Sequence, residues 1–597
     1  MSLLQTGDDD PKSMRTAHAM LVPWGLFAHH IGLIQGLEEI PMPQRTRDHS
    51  PQGKLLEFLV AILGGCTYLQ DISHGPHPLD RDQAVAKAWG QSAWADYSGV
   101  SRTLHACTTD TVASVREVIA RISRPFTDTE VVRALCQDGF LVYDGDLTGR
   151  PVSNTSTTYP GAAFGWMDDA IHLGYQAALV SLHSPTYGRQ WLSVTPHAGD
   201  TVSSQQAEAL VQAAEGHTGV RPLRRTTLLS ARIARLRSDL EEAQRRGDTQ
   251  QTQFQRAHGR VRAATDAWHQ ALAEVALLVK RDGPPKQAPR PYSQLRKAQH
   301  AVGVCWRRLH RRAREMEHLH QAMARPDTKV QQLTGTLALL EARLARFLED
   351  NAQNRAPVRA IFRLDGGFGS GENLALLIEM GYEVYSKLLS AKVTDALRRR
   401  HSADMTWTRV GDNAEMLGWS DLQLDFCPYP LDIGLERFRT GAHERYATLV
   451  HYGPTPVTRD LVAWFIFYNG RQTIEAGVKE GKGVFEMHHL KVRSKPGLAI
   501  QEEFAILAAN LVRWATVWLS EQAFQSQPPF DRRHSSVKQM VRVGANTTAL
   551  VFEQPEGNLL LRFDELSPLE GLELRLGQGA AFQAPLPLFR NDAFVPV

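Results

Sequence analysis

The sequence predicts a mixed α/β fold, with features of both the α/β and α+β classes, in which helices flank one mixed sheet. Three apolar stretches, at residues 140–146, 175–182 and 190–195, are predicted as strands, and a short polar turn joins the last two. Such short connections favour an antiparallel meander. Residues 358–388 then alternate strand, helix and strand, which is typical of a β-α-β unit.

The segment before this sheet is predicted to be helical. Residues 1–130 are expected to form an N-terminal domain that binds DNA, with helical apolar spacing at 54–69 and 109–122. Between these helices, the run of residues 96–104 predicts a Ser/Gly turn followed by a new helix. That run is either a helix-turn-helix that enters DNA or an ordinary helical linker, because helix pairs with glycine turns are common.

Residues 223–350 are expected to form a helical coiled-coil arm inserted into the sheet domain. Apolar residues recur at steps of four, three and four in two seams: Leu229, Ile233, Leu236 and Leu240, then Leu333, Leu337, Leu340 and Leu344. The Pro-rich stretch 283–291 separates the two seams. A dense basic run follows this stretch: Arg307, Arg308, Arg311, Arg312 and Arg314. These arginines either contact a DNA backbone or form a solvated helix face.

The remaining segments follow changes in pattern. Residues 136–222 and 351–390 are predicted as the two parts of the sheet core, and residues 391–456 as a partly β insertion. Two helices are expected within residues 457–524. Residues 525–597, rich in Pro and Gly, are predicted as a small β tail.

Composition excludes several classes of protein. The net charge is only +3, so any nucleic-acid-binding surface must be local. Five cysteines lie far apart without C-x-x-C, which argues against a zinc ribbon or a disulfide framework and favours a reducing compartment. The N-terminus lacks a signal-peptide pattern, and the apolar stretches 58–65 and 505–512 are shorter than the ~20 residues that span a bilayer. We therefore expect a soluble cytoplasmic protein without a membrane partner, associated with the nucleoid when it binds DNA.

Four residues near the C-terminal end have the spacing Y-x2-R-x3-E-x6-K: Tyr468, Arg471, Glu475 and Lys482. Steps of three, four and seven return to nearly the same direction on an α-helix. One helix over residues 460–479 is therefore expected to present these side chains on one stripe, a set that suits a nucleic-acid backbone carrying a divalent metal. Gly470, Gly477 and Gly481 weaken the helix, so Lys482 lies either on the stripe or on a following loop.

Three acids are placed where they can meet. Asp146 and Asp365 end predicted strands, and Glu475 lies on the late helix. Such carboxylates can hold two Mg²⁺ ions ~3.5–4 Å apart, which clamp the attacking and leaving oxygens of a phosphodiester. Mg²⁺ suits the site because it keeps positions for water and phosphate, and Mn²⁺ is an alternative. The histidine pairs at 29–30 and 488–489 lack ligand spacing and are expected to be structural or surface residues.

The order of these elements is that of ribonuclease H-like domains: three meander strands, a helix, a strand that ends in Asp365 and a late helix with Glu475. With the Y-R-E-K signature, the chain resembles the DDE transposases of bacterial insertion sequences, and in particular the branch that carries this signature. The resemblance covers about residues 136–390 and 455–520.

Local contexts add to this resemblance. The run Asp146-Leu-Thr is similar to the family's first acid, and Leu364-Asp-Gly-Gly-Phe to its second. The run that begins at His489, followed by a long apolar helix, is also similar.

The resemblance implies a metal-binding catalytic triad: Asp146, Asp365 and Glu475. It also implies three residues that hold phosphates near the cleaved end: Tyr468, Arg471 and Lys482. The implied partners are the terminal inverted repeats of the element and a target DNA, bound by a homodimer. Alternatives are another ribonuclease H-like nuclease, such as a resolvase or repair enzyme, and a non-catalytic DNA-binding scaffold derived from a transposase.

Several positions keep a second interpretation. Asp144 lies two residues before Asp146, on the same face of a strand, so either could be the first metal ligand. Tyr468 could be a core aromatic rather than a phosphate contact. Glu372 suits a helix N-terminus, and Glu480 a solvated surface.

Overall fold

The structure is a computed structural model, and it describes most of the chain: residues 13–45, 48–167, 169–282, 293–400, 405–441, 443–485, 487, 489, 492–522, 537–553, 559–563 and 573–576. The chain divides into two compact units. Residues 224–352 form one unit, and the segments on either side of them together form the other. The Pro-rich stretch 283–291, His488 and much of the predicted β tail lie outside the described residues.

The elements alternate between helical and β segments. In chain order, the strands are β1 (Ser13–Thr16), β2 (Leu141–Pro151), β3 (Ala163–Met167), β4 (Ala170–Ser184), β5 (Gly188–Ala198), β6 (Ala360–Leu364), β7 (Glu383–Lys387), β8 (Thr408–Arg409), β9 (Ala414–Leu422), β10 (Leu431–Thr440), β11 (His443–Tyr452), β12 (Ala549–Glu553), β13 (Leu559–Phe563) and β14 (Glu573–Leu576). The helices are α1 (Leu21–His30), α2 (Leu33–Glu38), α3 (Pro51–Leu63), α4 (Asp71–His74), α5 (Gln83–Ala88), α6 (Tyr97–Ala106), α7 (Thr109–Gln137), α8 (Ala207–Thr218), α9 (Thr226–Asp282), α10 (Gln294–Gln353), α11 (Gly371–Glu379), α12 (Ala391–Arg400), α13 (Leu461–Asn469), α14 (Gln472–Gly483), α15 (Lys495–Gln522) and α16 (Val537–Arg542).

A mixed sheet forms the centre of the larger unit. Its middle strands lie in the order β5-β4-β2-β6-β7, in which β2 pairs antiparallel with β4 and β4 with β5. Strands β2, β6 and β7 are parallel to one another. The predicted meander and β-α-β unit are thus confirmed, and they are joined in one sheet where β2 pairs with β6. Helix α8 follows β5 and precedes the smaller unit, after which the chain continues into β6.

The insertion extends the same sheet instead of forming a separate layer. Strand β11 pairs antiparallel with β7, and β10, β9 and β8 follow outward. Strand β10 was not predicted, and its sequence is interrupted by Gly434, a residue type that is depleted in strands. A side chain at Gly434 would collide with Met416 and Trp464, so the close packing here requires glycine.

The N-terminal helices pack on the sheet unit and do not form a compact unit of their own, contrary to the prediction for residues 1–130. They share one hydrophobic core with α15, in which Phe126 of α7 stacks on Trp514 with 4.1 Å between ring centroids. Asn510 of α15 accepts from Trp191 N at 2.9 Å and donates to Trp191 O at 2.8 Å, which fixes α15 against β5. Among the described residues, no helix is long and apolar enough to cross a membrane.

The predicted Ser/Gly turn at residues 96–104 is a helix. Asp96 caps α6 by accepting from Gly99 N at 2.7 Å, so Gly99 lies in the first helical turn. The exposed side chains of α6 include Arg102 and His105. The predicted new helix is thus confirmed, although it already begins at Tyr97, where the Ser/Gly turn was expected, and its contact with DNA stays a prediction.

The β tail is joined to the other end of the chain. Strand β1, which the sequence analysis did not predict, pairs antiparallel with β12, and β13 and β14 follow in the same four-stranded sheet. Residues of β12 and β13, including Val551 and Leu561, are buried in the core that holds the N-terminal helices. The tail is thus part of the larger unit and not a separate module.

The smaller unit is a hairpin of two long helices, close to the predicted arm. Phe254 of α9 contacts His320 of α10, and Arg237 donates to Glu341 at 2.7 Å, so the helices run antiparallel. The predicted seams are buried or half-buried, and the first continues along α9 in the same heptad frame with small residues: Ala243, Ala257, Ala264 and Ala271. Small residues at these positions allow two helices to approach closely.

Candidate active site

The two strand-end acids are neighbours because of the register between β2 and β6. The parallel ladder pairs Leu141 with Ala360 and continues in step to Gly145 and Leu364. Asp146 and Asp365 directly follow this last pair in the sequence, and neighbouring strands lie about 5 Å apart, so the register brings the two acids close together. The sequence analysis placed both acids at strand ends, whereas Asp146 lies within β2, which continues to Pro151.

The backbone after Asp365 turns sharply and is held by this side chain. Asp365 Oδ1 accepts from Gly367 N at 3.0 Å, and a short 3-10 helix follows over Gly366–Phe368. A side chain at Gly367 would lie 2.6 Å from Ser203 Oγ, so this approach requires glycine. The Gly-Gly sequence thus allows β6 to end at the carboxylate.

Glu475 joins these aspartates through electrostatics. Burial, the negative charge of Asp365 and, more weakly, that of Glu475 together raise the pKa of Asp146 to about 7, although Arg471 opposes the shift. Burial also raises the pKa of Asp365, to which the charge of Glu475 contributes, while Arg471 opposes the shift. The structure therefore brings Asp146, Asp365, Glu475 and Arg471 into one charged cluster.

Arg471 is the counter-ion of this cluster. Its guanidinium is buried, and Nη2 donates to Glu475 Oε1 at 2.6 Å. Burial alone would lower the pKa of Arg471, but the charges of Tyr468, Asp146, Asp365 and Glu475 outweigh it and raise the pKa. Among the described residues, nothing hydrogen-bonds to its buried Nη1. One guanidinium thus offsets three carboxylates, and one of its donors is left over.

The donor set fits a hard divalent cation, although the side chains are not gathered around one point. Within the described part of the chain, no three His, Cys, Asp or Glu residues lie close enough together to hold a metal ion as they stand. Glu475 faces Arg471 instead, and it would have to release this guanidinium to join Asp146 and Asp365. Burial raises the pKa values of Asp146 and Asp365, and these two carboxyls share one counter-ion with Glu475, a set of oxygen donors that suits Mg²⁺ or Mn²⁺.

The motif residues lie on two helices, so the prediction of one continuous helix over 460–479 is wrong. Helix α13 ends at Asn469 and α14 begins at Gln472. Gly470 and Arg471 between them keep right-handed helical backbone angles, with a tightened hydrogen bond from Arg471 N to Tyr468 O. The stripe is therefore bent at the glycine, and Arg471 and Glu475 stay one turn apart.

Tyr468 and Lys482 differ in their surroundings. Tyr468 is buried, and its hydroxyl donates to Leu364 O at 3.2 Å, so it has the place of a core aromatic rather than of a phosphate contact. Lys482 lies in the last turn of α14, half-buried, about 10 Å along the axis from Glu475. It lines a small cavity with Thr148 and Met487.

Asp144 is held in a buried ion pair, which decides between the two candidate first ligands. Arg363 donates to both oxygens of Asp144, from Nε at 2.7 Å and from Nη2 at 2.8 Å. Both side chains are almost fully buried, and Arg189 lies 3.9 Å from the same carboxylate. Asp144 is thus committed to arginines, whereas Asp146 faces the acid cluster. The rival assignment of Asp144 is not supported.

Removal of the Asp144 charge should destabilise the fold. Asp144→Asn leaves Arg363 buried without its counter-charge, which typically costs about 3–5 kcal/mol. We expect a lower urea midpoint with an unchanged slope. The matched control is Asp146→Asn on the same face of β2, which relieves repulsion and should leave the midpoint unchanged or higher. The reverse order of the two midpoints would exchange the roles of Asp144 and Asp146.

Two residues of this region have functions that the sequence analysis missed. Arg363 lies two positions before Asp365, as Asp144 lies two positions before Asp146, and the parallel register makes them partners. Glu480 is half-buried and accepts from Arg513 at 2.8 Å, so its prediction as a solvated residue is wrong. A charged residue two positions before each acid was visible in the sequence. That these two residues form an ion pair follows only from the register between β2 and β6.

The basic run of the arm lies on α10, in the smaller unit. Arg307, Arg308 and Arg311 are exposed, whereas Arg312 is half-exposed and donates to Glu315 at 2.6 Å. With Arg314, which is also exposed, four cations on one helix segment are available to a polyanion. The prediction of DNA contact therefore applies best to the four exposed arginines.

The arm prediction has a direct test. Each phosphate contact adds about 0.9 to the slope of log affinity against log salt concentration. For Arg307/Arg308→Ala we expect weaker DNA binding and a slope reduced by up to about 2, as measured by fluorescence anisotropy. The control is the adjacent exposed pair on the other helix, Arg245/Arg246→Ala. An unchanged slope for the first variant would assign its arginines to a solvated face.

No protein-family profile matches this chain, and a search of the curated proteins finds no match.

Proposed function

We propose that this protein is a DNA transposase that cleaves DNA ends and transfers strands through a divalent-metal mechanism on a ribonuclease H-like core. The observation that carries the proposal is the charged cluster in which Arg471 pairs with Glu475 and both residues act electrostatically on Asp146 and Asp365. The strand order β5-β4-β2-β6-β7 supports it, because it places the first and second acids on the two central neighbours. The resemblance to DDE transposases adds the substrate, which is DNA.

The side chains have separate functions in this proposal. Asp146, Asp365 and Glu475 would hold Mg²⁺ or Mn²⁺, which supplies an activated water and stabilises the developing charge on the phosphodiester oxygens. Arg471 and Lys482 bind phosphates near the scissile bond, the first through its planar fork and the second as a point charge. Arg471 can leave Glu475 for a phosphate without losing its interaction with a negative group. Tyr468 holds the end of β6 through the hydrogen bond from its hydroxyl to Leu364 O.

The reaction has two chemical steps on DNA. Water attacks the phosphodiester at the element end, and the bond to the 3′ oxygen breaks, which leaves a free 3′-OH. This hydroxyl then attacks a phosphodiester, in the opposite strand or in the target DNA, and displaces the 3′ oxygen there. Two paired ends require two active sites, which favours a homodimer.

The test uses the full-length protein with a DNA fragment that carries the reading frame and its flanking DNA. With Mg²⁺ and a supercoiled target plasmid, we expect nicks at short inverted repeats and covalently joined products. Cleavage without joined products would indicate a ribonuclease H-like nuclease instead. Specific binding without cleavage in Mg²⁺ or Mn²⁺ would indicate a non-catalytic scaffold. Either result would reject the transposase proposal.

A further inference from the structure

Arg363 contacts the elements that carry the catalytic residues. From β6 it donates to both oxygens of Asp144 on β2, at 2.7 and 2.8 Å. Its third donor, Nη1, reaches Phe467 O near the end of α13 at 2.9 Å. The guanidinium also lies 5.2 Å from the centre of the Phe467 ring. One buried side chain thus joins β2, β6 and the helix that leads into the motif.

The contacts are close in sequence to every group of the cluster. Asp144 precedes Asp146 by two residues, and Arg363 itself precedes Asp365 by two. Phe467 lies one turn before Arg471, and α14 with Glu475 follows directly. A shift of the guanidinium would therefore move both strands and the helix junction relative to one another.

Gly470 lies between α13 and α14 and is close to the Arg363 guanidinium. A side chain at Gly470 would lie 2.6 Å from Arg363 Nη1, too close for any real carbon. Its backbone angles, φ −52° and ψ −23°, are ordinary for any residue. The requirement for glycine therefore comes from the arginine and not from the backbone.

We propose that Arg363 is a positioning residue that sets the distance of Arg471 and Glu475 from Asp146 and Asp365. This inference rests on the proposed function, in which the four groups act together on metal and phosphate. Arginine is required because three directed donors serve two different elements, whereas the ammonium of lysine is a single point charge.

The first test is Arg363→Lys, which keeps the charge and loses the fork. We expect the cleavage rate at saturating DNA and Mg²⁺ to fall about 100-fold, as a misplacement of about 1 Å can cause, with the Kd for DNA close to the wild-type value. Mn²⁺ affinity, measured without DNA from the shift in Tm, should fall about 10-fold. The control is Arg224→Lys, where an equally buried guanidinium pairs with Asp350 in the arm.

The second test uses Gly470→Ala alone and combined with Arg363→Lys. The single change should slow cleavage because the new methyl group displaces the guanidinium. The double variant should be no slower than Arg363→Lys, since residues that act through one contact are not additive. Additive losses would overturn the inference.

Failure of this inference and failure of the proposed function give different results. If the wild-type protein cleaves DNA and Arg363→Lys cleaves and binds Mn²⁺ equally well, Arg363 does not position the site. If Arg224→Lys loses as much activity as Arg363→Lys, the effect is one of general stability and the inference is overturned. If the wild-type protein does not cleave, the transposase proposal fails, and the Mn²⁺ affinities still decide the role of Arg363.

Discussion

Asp365→Asn should abolish DNA cleavage while leaving DNA binding largely intact. Asp365 lies beside Asp146, and an amide removes the charge that a divalent cation requires. We expect the loss to exceed the ~10–100-fold typical of residues that only orient a metal ligand. The asparagine oxygen can still accept from Gly367 N, so the turn after β6 should be kept. Single-turnover cleavage and anisotropy on the same DNA measure the two effects.

Thermal stability separates a catalytic from a structural function of Asp365. Because Asp146 and Glu475 repel its carboxylate, the substitution should leave the metal-free Tm unchanged or higher. Asp144→Asn is the contrasting variant, since it should lower Tm through the loss of the Arg363 pair. If Asp365→Asn loses DNA binding and stability together with cleavage, Asp365 is a structural residue.

The affinity for Mg²⁺ should increase about tenfold per pH unit as the pH rises towards 7, and then level off. Asp146 has a pKa of about 7 in the folded protein and must lose its proton to bind a cation. One displaced proton per metal gives a slope of one below this pKa. Calorimetric titration with Mg²⁺ in a series of buffers about one pH unit apart, from about pH 5.5 to about pH 8.5, measures the affinity.

The stability of the metal-free protein should change in the opposite sense. The pKa of Asp146 is higher in the folded protein than in the unfolded chain, so its uncharged form favours folding. This contribution is complete below the usual carboxyl pKa of about 4 and is lost as the pH rises through about 7. Excess Mg²⁺ should restore Tm above pH 7 by binding the charged form.

Glu502 provides the control for this pH dependence. Burial raises its pKa to about 7 as well, although the charge of Arg150 opposes the shift. Glu502→Gln should therefore alter the pH dependence of Tm and leave the slope of Mg²⁺ affinity intact. Asp146→Asn should remove that slope. A slope that survives in Asp146→Asn would exclude Asp146 as the group that releases the proton.

Much of the larger unit could be predicted because its signals are local. The apolar stretches that became β2, β4 and β5, and the strand that ends before Asp365, follow from side-chain periodicity. The missed strands are those whose residues serve packing with distant partners, as in β10, where Gly434 makes room for Met416 and Trp464. The periodicity of apolar residues indicates which face of a segment is buried. It does not indicate the shape of the side chains that pack against that face.

The candidate residues show the same division. Spacing was sufficient to select Asp365, Glu475 and Arg471 as candidates, because acids at strand ends and helical steps of three and four are properties of one segment. The choice between Asp144 and Asp146 was not, since it depends on a partner 219 positions away. Nor did spacing reveal that Tyr468 is buried or that the motif helix breaks.

The residue types and their order along the chain thus indicate which chemistry is possible, because carboxylates can bind metal ions and cations can bind phosphates in any fold. Only the tertiary structure decides which of them meet. The parallel register of β2 and β6 sets Asp146 against Asp365 and, two positions earlier, Asp144 against Arg363. The same register therefore leaves one acid free for a metal and neutralises the other, a distinction that arises from packing between strands and is absent from either strand alone.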